Sequence, residues 1–83
     1  MVDFVDTKDI ARRAKAIYAE RLRATLERDH LNKFVAIEPD SGDYFVGSSL
    51  TEAIRAARRA HPTRVTHTLR IGHDVAVEIG WFP

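Results

Sequence analysis

The sequence predicts an α+β domain. A long helix, a β-hairpin, a second helix and a second hairpin give a four-stranded, mainly antiparallel sheet backed by helix. Three observations predict it. Apolar residues recur at helical spacing over Thr7–Asp29. Two pairs of short β-rich runs are each split by a glycine-containing turn. Between the pairs, Ser49-Leu50-Thr51-Glu52 precedes an alanine-rich stretch that stops at Pro62.

The first helix is expected from about Thr7 to Asp29, with Asp6 or Thr7 accepting free amide protons of its first turn. Ala11, Ala14, Tyr18, Leu22 and Leu26 form its apolar stripe, with Ile10 at the margin. On the other side Asp9 meets Arg13 and Arg23 meets Glu27 four residues on, each pair contributing roughly 0.2–0.5 kcal/mol. Asp29, His30, Leu31 and Asn32 break the pattern, and Asn32 suits the left-handed turn that closes a helix.

Strands follow at about Lys33–Glu38 and Tyr44–Gly47, around Pro39-Asp40-Ser41-Gly42-Asp43. Pairing centred on Ser41-Gly42 puts Val35, Ile37, Tyr44 and Val46 on one face and Phe34, Ala36 and Phe45 on the other. Both faces are apolar, so one meets the core and the other the long helix or a partner molecule.

Ser49 and Glu52 spell a capping box, and Leu50, Ala53, Ile54, Ala57 and Ala60 make a narrow face for close packing on a sheet. Arg55, Arg58 and Arg59 point away from it. The last hairpin is expected over Arg64–Ile71 and Val75–Trp81, across Gly72-His73-Asp74. Pairing Ile71 with Val75 sets Leu69 opposite Val77, His67 opposite Ile79 and Val65 opposite Trp81. Thr66, Thr68, Arg70, Ala76 and Glu78 then take the other side. Antiparallel pairing of the first and third strands is the preferred order, because the second helix returns the chain in the opposite sense.

The 83 residues suit one domain, 1–83, that buries only roughly 60–65% of its unfolded surface, leaving little room for a catalytic lobe. No apolar run approaches the ~20 residues of a membrane span. Asp3 and Asp6 stand where a signal peptide carries basic residues, so a cytoplasmic location is expected. The absence of cysteine removes disulfides, thiol catalysis and cysteine metal sites. Net charge is only +1, but Thr51–Arg70 carries five arginines against Glu52, while acids gather near the N-terminus and at Asp40–Asp43. Such a dipolar chain matches a protein partner or its own copy better than bulk polyanion.

The run FVAIEPDSGDYFVG, then AIRAARRAHP, then RIG, resembles a group of short prokaryotic proteins classed as a domain of unknown function. Its members share a pattern of the type VAIE, turn, YFVG, AxxxAxxxxP, RIG. The likeness covers roughly Ile17–Gly80. It implies a small α+β fold without assigned activity or established catalytic residues, frequently encoded beside small retropepsin-like proteases, and hence a possible partner protein. Trp81-Phe82-Pro83 lies outside the shared pattern.

Asp40-Ser41-Gly42 spells the aspartic-protease tripeptide, in which two loops share one proton between carboxylates. Asp, Ser and Gly after Pro39 are equally the residues of a tight turn, and the turn is the preferred reading; a dimeric aspartic hydrolase is the least favoured function. The four histidines match no common metal spacing: His67 reads as a buried ring, His30 and His61 as helix-end residues, and His73 as a turn residue. No catalytic residue, cofactor or metal ligand is assigned. Arg55, Arg58, Arg59 and Arg64 are the nucleic-acid alternative, lacking a groove-reading element or stacking aromatics. Tyr44, Phe45, Trp81 and Phe82 are the expected interface residues, since large aromatics anchor interfaces. The favoured function is a non-enzymatic interaction module or accessory subunit that self-associates or binds a partner protein.

Overall fold

The helical spacing over Thr7–Asp29 holds, but the rod is not uniform. In the computed structural model, which describes residues 7–73 and 80–82, α1 (Thr7–Ile17) runs into a π-helical turn (Tyr18–Leu22) and then α2 (Arg23–Asp29). The cause is visible in the stripe. Ala14, Tyr18, Leu22 and Leu26 recur at intervals of four, and in a regular α-helix three such steps overshoot by about 120°. The wider turn, in which the Arg23 amide reaches back to the Tyr18 carbonyl, absorbs that excess. All four side chains, with Ala11, are buried. The predicted pairs form, Asp9–Arg13 and Arg23–Glu27 each at 3.7 Å. The expected cap at Asp6 lies outside the described residues, as does the Thr7 side chain.

Asn32 closes this helical run with φ 71°, the left-handed conformation its short amide tolerates. Its amide donates to the Ile71 carbonyl at 2.9 Å, and the Ile71 amide to the Lys33 carbonyl at 2.8 Å, so the helix exit is tied to the sheet.

The sheet comprises β1 (Phe34–Glu38), β2 (Asp43–Gly47) and β3 (Thr66–Arg70), antiparallel in the order β2-β1-β3. The first and third strands are neighbours, as preferred from the sequence. Val35 pairs with Val46, Ala36 with Phe45 and Ile37 with Tyr44, which is the expected face assignment.

Both faces of β1 are core. On one, Val35, Ile37, Leu69 and Ile71 meet Ala14, Tyr18, Leu22 and Leu26. On the other, Ala36 meets Ala53 and Ala57 of α3 (Leu50–Ala60), with Phe34 and Phe45 alongside. Helix therefore covers the sheet from two sides rather than backing it from one. The near-continuous apolar run of β1, Phe34 to Ile37, has this doubly covered position as its cause. Gly47 ends β2 where α3 begins to cross: a Cβ there would stand 2.5 Å from the Ala53 amide nitrogen.

The cap of α3 differs in one detail from the reciprocal box. Ser49 Oγ accepts the Glu52 amide at 3.1 Å, but the Glu52 carboxylate takes the amide of Ser48, at 3.0 Å, rather than that of Ser49. The last hairpin needs a larger correction. The backbone of Gly80–Phe82 runs antiparallel beside β3 with Thr66 opposite Phe82, His67 opposite Trp81 and Thr68 opposite Gly80. The expected pairing of His67 with Ile79 is thus displaced by two positions. A shift of two preserves which residues share a face, so alternation of apolar residues cannot distinguish the two registers. The rest of that strand and Asp74 lie outside the described residues.

Candidate functional site

The Pro39–Gly42 turn is held from within. Glu38, 2% exposed, is the last residue of β1, and its carboxylate accepts the amides of Asp40 at 2.8 Å and Ser41 at 3.0 Å. The Gly42 amide donates to the Glu38 carbonyl at 2.9 Å, and Gly42 takes φ 80°, which a side chain would strain. Ser41 Oγ accepts the Asp43 amide at 3.1 Å. Two residues of the turn, Asp40 and Ser41, are therefore fixed by one buried carboxylate, and Gly42 by the carbonyl of the same residue.

Asp40, partly exposed, joins this turn to the long helix and to the segment between α3 and β3. Its Oδ1 receives Arg13 of α1 and its Oδ2 receives Arg64, just before β3, each at 2.8 Å. The hydrogen bond from Arg13 and the charge of Arg64 hold the Asp40 carboxyl below the usual carboxylate range. Next to it, His61 Nε2 lies 2.8 Å from Asp43 Oδ2, and the His61 ring meets Phe45 edge-on at 6.0 Å between centroids.

Among the expected interface residues, Tyr44 is 44% exposed on β2, while Phe45 is half-buried against the α3 side. Tyr44 stands on the face covered by the long helix, exposed beside Val46, which is half-buried against the core cluster of that face. For Trp81 and Phe82 the backbone path is described and the side chains are not.

The arginine group is divided. Arg55 and Arg59 line a shallow cavity of about 340 Å³ on the outer face of α3 with Ser49, Thr51, Glu52 and Ala56. Arg58 is exposed outside that lining, and Arg64 turns to Asp40.

The histidines also go separate ways. His67 is fully buried, and burial, with the nearby Lys15 charge adding to it, pushes its pKa down to about 4. His73 Nε2 lies 3.1 Å from Asn32 Oδ1, and His30 and His61 stand at the ends of α2 and α3. Among the described residues there is no group of three or more histidine or acidic side chains placed to hold a metal ion.

Sequence reasoning missed two structural polar centres. Nothing in the spelling of Glu38 distinguishes a buried turn anchor from an ordinary strand-end acid. Tyr18 read as stripe, yet its hydroxyl donates to Glu27 Oε2 at 2.9 Å and accepts the Gly72 amide at 3.3 Å, and burial raises its pKa. Its signal was chemical: a tyrosine in an alanine-leucine stripe needs a partner for its hydroxyl. Comparison with family models, curated proteins and solved structures finds no match to this chain.

Proposed function

We propose that this chain is a non-enzymatic interaction module, or a small accessory subunit, that works by docking on protein. The observation that carries this reading is β2: a border strand of the sheet whose Tyr44 is 44% exposed. A sheet border offers unpaired amide and carbonyl groups to an incoming strand, and an aromatic beside it supplies an anchor. The convergent polar groups at the turn support the same reading, because they are spent on each other: Asp40 on Arg13 and Arg64, Asp43 on His61, and Glu38 on backbone amides.

The resemblance to the small prokaryotic family encoded beside retropepsin-like proteases adds a candidate class of partner, and a cytoplasmic site of action belongs to the same proposal. So does a full fourth strand continuing the sheet through residues 75–81, with Trp81 and Phe82 as further anchors. Among the described residues no helix is long and apolar enough to cross a membrane. The test is solution mass at micromolar concentration, together with isolation of bound proteins from native extract and rebinding of each in purified form. Either self-association or a rebinding partner is expected; a strictly monomeric chain with no rebinding partner would defeat the proposal.

A second reading rests on Arg55 and Arg59. They stand four residues apart at one cavity, and among the described residues neither carries an ion pair. Two guanidinium groups on one helix face suit the phosphates of nucleic acid. Charge reversal at both should abolish salt-sensitive binding to an oligonucleotide; unaltered affinity excludes this face.

A further inference from the structure

We infer that the partner of β2 is a second copy of this chain, joined β2 to β2 in antiparallel register about a twofold axis through Phe45. This rests on the interaction-module reading and names its occupant. The argument starts from what β2 lacks. Natural border strands are protected by lysine, proline, bulges or inward charges. In Asp43-Tyr44-Phe45-Val46-Gly47 there is no proline or lysine, every residue pairs in sequence with β1, and the single charge, Asp43, is engaged by His61.

Self-pairing is then constrained by geometry. A twofold axis perpendicular to the sheet keeps the layers of both copies on matching sides, so residues of like parity must stand opposite one another. Centring on Tyr44 sets Asp43 against Phe45 and runs Val46 into the partner's turn. Centring on Val46 sets Phe45 against Gly47 and leaves Asp43 beyond the partner strand. Centring on Phe45 alone pairs the whole of β2 with itself. Tyr44, 44% exposed, then faces Val46 twice on the side of the long helix, and Phe45 faces Phe45 on the α3 side. The acid Asp43 falls opposite Gly47, beneath the first turn of α3, where the Glu52 carboxylate is held by the Ser48 amide. An aromatic opposite a β-branched residue is a favourable cross-strand combination. The outcome is one continuous sheet, β3-β1-β2 followed by β2-β1-β3 of the second copy.

The chain has no cysteine, so an introduced thiol is unique. Light scattering of the unmodified chain is expected to give twice 9.4 kDa at micromolar concentration. Tyr44→Lys is expected to weaken the dimer by about tenfold or more while circular dichroism shows the same fold. Mixing Tyr44→Cys with Val46→Cys should give an interchain disulfide faster than either variant alone, because the two positions are directly opposed whereas each is only diagonal to its own copy. A chain that stays monomeric overturns this inference while leaving a heterologous partner open to rebinding. A dimer indifferent to Tyr44→Lys, with no preference for the mixed disulfide, also overturns it, yet leaves the interaction-module reading standing.

Discussion

At the scale of single residues, one buried polar side chain ties folding to pH. His67 is the case that matters. The ring sits at 0% exposure with its pKa lowered to about 4, against about 6.5 in an unfolded chain. Between those values the unfolded state binds a proton that the folded state refuses. The His67 contribution to stability is therefore fully present above about pH 6.5 and falls as pH drops toward 4, where the accumulated loss reaches about 3 kcal/mol. Denaturant titrations at stepped pH are expected to show this slope, and His67→Leu to flatten it. Asp40 adds to acid sensitivity at lower pH: its carboxyl is held below the usual range by Arg13 and Arg64, so its contribution is present above about pH 4 and is lost only below that. The two windows adjoin, with histidine governing the upper one.

At the scale of elements, the π turn is the most instructive. It widens one turn of an otherwise regular helix to accommodate one more residue, and Ala19, Glu20 and Arg21 within it are all exposed. Removing one of them returns the Tyr18-to-Arg23 bond to ordinary α-helical spacing without rotating either flank. A deletion of Ala19 is thus expected to leave melting temperature within a few degrees of the parent, whereas deletion of Ala16, in α1, turns Ala11 and Ala14 about 100° away from the sheet and should unfold the chain. Thermal melts of the two variants decide it. Equal destabilisation would mean that the π turn itself is needed, for instance to place Tyr18 between Glu27 and Gly72. The strict four-residue recurrence of Ala14, Tyr18, Leu22 and Leu26 was legible in the sequence as a stripe. Its consequence, a helix that must widen to keep that stripe on the sheet, needed the angular excess to be followed along its length.

At the scale of the whole molecule, periodicity placed the strands and the faces of the first hairpin, since Val35 and Ala36 alternate without ambiguity. It did not place the layers, because an apolar strand reads the same whether its second face meets a helix of its own chain or another protein. Nor did it reveal the ionic tie, which depends on Arg13, Asp40 and Arg64 converging from separate parts of the chain. That tie is a polar link between the long helix, the hairpin turn and the segment following α3. Its groups are partly exposed, so each contact is weak and screened. What the trio adds is coupling. Arg13 and Arg64 converge on one carboxylate, while Arg13 keeps a looser pair with Asp9, so Asp40→Asn should lower the melting temperature in the parent chain and cause no further loss in the Arg13→Gln, Arg64→Gln double variant. The effect should be clear at low ionic strength and vanish at about 1 M salt, where the screening length shrinks to ~3 Å. Independent losses that simply add would show that the turn is anchored by Glu38 alone, and that the two helical layers are joined only through the sheet between them.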